Sequence, residues 1–268
     1  MIDIRKCVNE SKKLEEALKK NAESHKNYKT YTSMERALDL LLTGNVYLSN
    51  GSNWNDTKDK AQMQKKDAFG ISFSYSTREN VAMWMLYGDQ RAEKGAAINY
   101  LPSVIRALLS VEEIEAGNFD KAGKFCCIEK IGHRDVELFL TDIVYVDERK
   151  ISKDDNKIKD SRKEENDLSS FVNITVQERH AIVDKEILTS NRNIFCKAYP
   201  WAYENECRLI TRLKRSYQLE SEFSHIRLRI PQGLLRKMRN NRIIRSPKYA
   251  GTEYGEKSEI TGEIDWEI

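Results

Sequence analysis

One short run constrains this chain more than any other: Glu204-Asn205-Glu206-Cys207-Arg208-Leu209-Ile210, where two carboxylates stand one residue apart at the mouth of an alternating apolar stretch. From Glu206 the pattern reads as a strand, in which successive side chains face opposite ways and residues two apart share a face. Glu204 and Glu206 are therefore expected on one face. Two like charges so close raise one pKa, which suits a site that holds a developing cation and also takes up a proton. A solvated edge strand with incidental acids would show the same spacing. The neighbours favour a site: Trp201 and Tyr203 supply a stacking wall, and Lys197 and Arg208 supply cations.

The chain before this run alternates strands and helices. Ser11 to Glu23 has Leu14, Ala17 and Leu18 at helical spacing among charges, predicting a peripheral amphipathic helix. Tyr28 to Tyr31 reads as a strand. Thr32 and Glu35 match a capping box for a helix from Met34 to Thr43 that stops at Gly44, and Val46 to Ser49 is the next strand. The loop from Gly51 to Asp56 is polar apart from Trp54, an aromatic placed to anchor the turn or line a site. Gly70 to Ser76 is a strong strand pattern with Ile71, Phe73 and Tyr75 on one face and three serines on the other. A helix over Glu79 to Tyr87, a strand over Lys94 to Tyr100, a helix over Ser103 to Leu109 and a strand over Leu138 to Asp147 follow. Leu168 to Leu188 reads as helical. Near the end come a strand over His225 to Ile230, a basic helix over Pro231 to Asn240, and a last strand over Arg242 to Ile244.

A chain of 268 residues, 40% of them hydrophobic, suffices for one sizeable core, so a single domain over residues 1–268 is expected. Residues 1–27 form an N-terminal helical extension. Residues 150–167 are almost wholly charged or polar and read as an exposed insertion. Charged residues at 32% and a mean hydropathy of −0.67 leave no apolar run of about 18 residues, so no membrane association is expected. The first twenty residues lack an apolar signal core, and the five cysteines are odd in number, which predicts a cytoplasmic protein. No His/Cys pattern of metal-site spacing is present, so no metal is expected. The net charge of +3 hides an asymmetry: Arg212 to Lys248 holds eleven Lys or Arg against Glu220 and Glu222. A basic stretch of this kind can track a phosphate backbone, with Arg236, Lys237 and Arg239 as contacts, or can be a solvated helix face.

Several residues in order resemble the bacterial domain-of-unknown-function 2971 family. They are Tyr28, Lys29 and Tyr31; the helix closed by Gly44; Asn55-Asp56; Ser72-Phe73-Ser74; Met83-Trp84 with Tyr87-Gly88; and Lys197, Trp201, Tyr203-Glu204, Glu206 and Arg208. The chain departs from the family at Thr57, where proline is usual, and at Cys207, where an aromatic is common.

The resemblance implies an α+β fold of the ADP-ribosyltransferase-like kind: a mixed or antiparallel split β-sheet core with peripheral helices. It also implies NAD as substrate. Breaking the nicotinamide–ribose bond makes an oxocarbenium-like cation that a carboxylate stabilises. Glu206 takes that role and Glu204 accepts the nucleophile's proton, with Tyr31 as the first-motif residue, although Tyr28 is the alternative. Ser72 and Ser74 position ribose or the glutamate. Lys29 or Arg208 pairs with pyrophosphate, Tyr31, Trp84, Tyr87 or Trp201 stacks on NAD, and Asn55 lies in the binding loop. The expectation is a transferase acting as a toxin or phage-defence effector on RNA or DNA, with an antitoxin partner possible. A protein acceptor, an NAD glycohydrolase and a catalytically inactive binding module are the alternatives.

Overall fold

Alternation along Ala68–Ser74 decides the architecture, because one side of that strand is apolar and the other carries Ser72 and Ser74. The strand sits inside a ten-stranded sheet of a computed structural model that describes residues 11–52, 54, 56, 59–61, 63, 67–77, 80–88, 95–146, 174–176, 179–181, 193–214, 217, 222–239 and 243–246. In chain order the strands are β1 (Tyr28–Ser33), β2 (Asn45–Ser49), β3 (Ala68–Ser74), β4 (Gly95–Tyr100), β5 (Glu113–Phe119), β6 (Phe125–Gly132), β7 (Val136–Asp142), β8 (Val144–Val146), β9 (Ile174–Val176), β10 (Arg179–Ala181), β11 (Cys196–Ala198), β12 (Glu206–Leu213), β13 (His225–Arg229) and β14 (Ile243–Arg245). The helices are α1 (Ser11–Glu23), α2 (Met34–Thr43), α3 (Val81–Met83), α4 (Pro102–Leu109) and α5 (Gln232–Arg239), and the fold is α+β.

All pairings in the large sheet are antiparallel, and the sheet splays at β3. On one side β3 pairs with β12 from Glu206↔Ser74 to Arg212↔Ala68. On its other side it meets β1 only at Lys29↔Ser74 and β2 only at Ser49↔Gly70. Two ladders fan out from those points, β14-β4-β1 and β2-β13-β5-β6, while β7 continues beyond β12.

Alternation along β4 separates two apolar clusters. Ala96, Ile98 and Tyr100 enter the main core, with Tyr28, Phe73, Leu41 and Leu108. Ala97 packs instead in a small cluster with Tyr31, Met83 and Trp84. The two clusters therefore lie on opposite faces of β4. Paired residues of antiparallel strands point the same way. The register then places Tyr31, Lys29, Ser74, Ser72, Glu206 and Arg208 on one face, that of the small cluster.

Helix ends follow local chemistry. α2 spans Met34–Thr43 as expected, but its N-cap is Ser33 rather than Thr32: Ser33 accepts from the Arg36 amide, and Gly44 closes the helix in the left-handed region at φ 74°. α1 is not peripheral. Leu18 and Ala22 enter the main core, and Asn21 and His25 both bond to the buried Asp142 of β7. α3 continues into a π-helical turn, Trp84–Gly88, in which a Cβ at Gly88 would stand 2.8 Å from the Trp84 ring. Within the stretch expected to be helical from Leu168 to Leu188, the described residues form the antiparallel pair β9–β10 instead. The charged stretch 150–167 lies outside the described residues. Among the described residues no helix is long and apolar enough to cross a membrane.

Candidate active site

The strand expected to carry both glutamates begins only at Glu206. Glu204 ends a 3-10 helix (Tyr199–Glu204), and Asn205 between them has φ 47°. Asparagine tolerates this left-handed conformation better than most residues. Here its backbone carbonyl accepts from the Tyr75 amide at 2.9 Å and its Nδ2 donates to the Tyr203 carbonyl at 3.1 Å. The turn brings the carboxylates together by another route than strand alternation. Asn205→Ala is expected to cost about 1 kcal/mol and Asn205→Gly only a few tenths, measured by urea unfolding; equal effects would show that the turn is not strained.

Lys197, supplied by β11, is the hub. β11 pairs in parallel with β8, setting Lys197 opposite Tyr145, whose hydroxyl accepts from the Glu206 amide at 2.8 Å. The Lys197 ammonium lies 2.5 Å from Glu204 Oε2, 3.3 Å from Glu206 Oε2 and 3.8 Å from Asp59 Oδ2, with its charge over the Trp201 ring.

Arg208 holds the other end. Its Nε and Nη2 donate to the two oxygens of Glu206 at 2.6 and 3.1 Å. Nη2 and Nη1 donate to Asp59 at 2.5 and 3.4 Å, and Nη1 reaches the Ile194 carbonyl at 3.3 Å. A guanidinium has five N–H donors, and these five contacts use them all. Its exposure is 0% and Trp54 covers its plane at 4.7 Å. Arg208 thus has all five donors occupied within the fold, which leaves none over for the expected pairing with a pyrophosphate. Asp59 is not among the residues that the sequence singles out. Its only signal was indirect, since a buried arginine beside Glu206 still needed a second acid for its remaining donors.

Three carboxylates, Asp59, Glu204 and Glu206, thus face two cations, and all five groups are buried. The excess acid falls on two of them: burial raises Asp59 against the pull of Arg208, and Glu204, which Arg208 does not touch, is raised as well. Burial, then the charge of Glu206, pushes the Glu204 carboxyl up to about 7 against the pull of Lys197. Burial opposes ionisation of Glu206 as well, but Arg208 first and then Lys197 hold it well below the usual carboxylate range. Ser72 adds to this with a 2.5 Å hydrogen bond from Oγ to Glu206 Oε1. Tyr87 donates to Glu204 Oε1 at 2.6 Å, and burial and that carboxylate raise its own hydroxyl pKa.

Tyr31 stands on the carboxylate face, edge-on to Trp84 at 4.9 Å, with the Lys29 ammonium 5.8 Å from its ring. Tyr28 lies in the main core instead and donates to the Ala22 carbonyl. Tyr87 and Tyr203 border the small cluster, and half-buried Trp201 lies 6.2 Å from Tyr203. Ser74 is buried beside Ser72, and Asn55 lies outside the described residues.

The basic helix does not join the site. α5 buries Leu235 and Met238 in the main core, across the sheet from the carboxylates. Arg236 and Lys237 are exposed there, whereas Arg239 donates to the Leu41 and Leu42 carbonyls and caps the end of α2. Arg239 thus serves as a helix cap for α2.

No curated protein and no solved structure matches the chain. The family model described as protein of unknown function (DUF2971) matches residues 83–209, which include Trp84, Tyr87, Lys197 and the Glu204 to Arg208 run. Over that stretch the chain is similar to the domain-of-unknown-function 2971 family, and the match supports that family.

Proposed function

We propose that this protein transfers ADP-ribose from NAD, with Glu206 and Glu204 dividing the work. The observation that supports this reading is the division of the carboxylates: Glu206 is held ionised, while Glu204 titrates near neutrality on the same lysine. Carboxyl groups whose pKa values are driven apart mark an acid–base assignment. As the C1′–N bond of NAD breaks, nicotinamide leaves with the bonding pair and positive charge gathers on the ribose. Ionised Glu206 stabilises that charge. The acceptor's heteroatom then bonds to C1′ and its proton passes to Glu204. Tyr31, Trp84, Tyr87 and Trp201 supply aromatic surface for the nicotinamide, and Lys29 a cation for a phosphate. The splayed antiparallel sheet and the serine–glutamate contact accord with an ADP-ribosyltransferase-like fold.

The acceptor is either nucleic acid or protein. α5 lies across the sheet from Glu206, so its charge no longer favours nucleic acid. A role as toxin or defence effector follows from which acceptor is labelled. The experiment is incubation with NAD labelled in its adenylate half, then separate recovery of nicotinamide, RNA, DNA, protein and free ADP-ribose. Nicotinamide release with label on one macromolecule is the expected result; release with only free ADP-ribose would make the protein a glycohydrolase. No release would sink the enzymatic reading.

A second reading, a catalytically inactive binding module, has its own support: Glu204 and Glu206 are each 3% exposed, and Arg208 has every donor occupied within the fold. It predicts nucleotide binding without turnover.

A further inference from the structure

The stretch from Asn80 to Gly88 grips the 3-10 helix Tyr199–Glu204 at two points. At its start Asn80 caps α3: its Oδ1 accepts from the Ala82 amide at 3.0 Å, while its Nδ2 donates to the Tyr203 carbonyl at 2.7 Å. That carbonyl belongs to the peptide that leads into Glu204, and Asn205 Nδ2 reaches it as well, at 3.1 Å. At its end Tyr87 donates to Glu204 Oε1 at 2.6 Å from the π-helical turn Trp84–Gly88. A π-turn is rare and bonds residues five apart rather than four, so it presents Tyr87 in a direction that an α-helical turn would not.

This turn depends on Gly88. A Cβ there would stand 2.8 Å from Trp84 Cε3, and one of the two would have to move. The ring has little room: Trp84 is 3% exposed, edge-on to Tyr31 and packed with Met83 and Ala97. A side chain at position 88 would therefore displace the backbone that carries Tyr87. We infer that Asn80 and Gly88 are positioning residues for Glu204: Asn80 fixes the peptide in front of it, and the bare Cα of Gly88 lets the π-turn lay the Tyr87 hydroxyl on its carboxylate. Both act through a neighbour, Tyr203 or Tyr87. The inference rests on the proposed function only for giving Glu204 a part in the reaction, and its test needs no turnover.

The test follows the Glu204 carboxyl by NMR in protein labelled at its glutamate side-chain carbons, the signal being identified by its loss in Glu204→Gln. Glu204 is faced by Lys197 of β11, Glu206 of β12, Tyr203 of its own helix and Tyr87. Tyr87→Phe in the otherwise wild-type protein is expected to move the titration to higher pH by about one unit, the worth of a hydrogen bond to a charged group. In a Gly88→Ala background the same substitution is expected to move nothing. In an Asn80→Ser background, which keeps a good helix cap but is too short to hold the Tyr203 carbonyl, it is expected to move the titration by no more than about half as much. A residue that merely stabilises the fold would lower the Tm and leave the Tyr87→Phe shift at full size. A full-size shift in either background overturns the inference, as does a wild type in which Tyr87→Phe moves nothing. Should Gly88→Ala not fold, Asn80→Ser decides alone. If the shift is lost as expected and no nicotinamide is released from NAD, the inference stands and the transferase reading falls; if nicotinamide is released and the shift stays at full size, the reverse holds.

Discussion

Arg208→Ala is expected to destabilise the fold by about 3–5 kcal/mol, the usual loss when one partner is taken from a buried ion cluster. The arginine is 0% exposed and ties β12 to Asp59 and to the Ile194 carbonyl. Without it, three buried acids face Lys197 alone, and Asp59, already raised by burial against the pull of Arg208, must take up a proton to remain inside. Thermal unfolding should fall by about 10 °C for a domain of this size. Arg208→Lys keeps a charge but not the planar fork, so it should recover only part of the loss. Arg212 is the control. It pairs with Glu137 at side-chain exposures of 27% and 38%, and Arg212→Ala should cost no more than about 1 kcal/mol. Equal losses for Arg208→Ala and Arg212→Ala would show that the buried cluster does not hold these elements together.

What could be read in advance was what has a local period. The serine face of β3 and the run from Glu206 both alternate, and the Ser72–Glu206 contact follows once those strands pair. α2 was legible because its stop, Gly44, needs a left-handed residue. The Glu204 placement misled because Glu-Asn-Glu satisfies period two by coincidence, while Asn205 breaks the strand by adopting positive φ. Asp59 was invisible for a different reason: its role depends on a partner 149 residues away, which no local spacing encodes. The hairpin of β5 and β6 lacked a signal because β6 is an edge strand, exposed at Cys126, Cys127 and Ile128, so alternation never develops along it. Arg239 shows what charge alone leaves out, since its bond to the end of α2 joins residues far apart in the chain.

The second large effect is on pH dependence and is carried by Glu204. Its folded pKa of about 7 stands above the ordinary value of 4.5, so between those limits the native state holds a proton that the unfolded chain has released. Stability therefore falls as pH rises across that window, by at most about 3 kcal/mol, and is level above it. Glu204→Gln should reduce this slope, leaving only the part due to Asp59, whose carboxyl burial also raises. Glu206 runs the other way: its folded pKa is depressed, so its contribution is present above the ordinary carboxylate range and is lost only in strong acid, leaving no limb near neutrality. Transfer should likewise rise with pH and level off above about 7, since only ionised Glu204 can accept the acceptor's proton. Glu204→Gln should remove that limb and lower transfer by about 10²–10⁴-fold. Tyr87→Phe deletes a donor that favours the ionised carboxylate, so its limb should move to higher pH. A limb that survives in Glu204→Gln, or does not move in Tyr87→Phe, would mean that the titrating group lies elsewhere and that the surplus acid of the cluster is only structural.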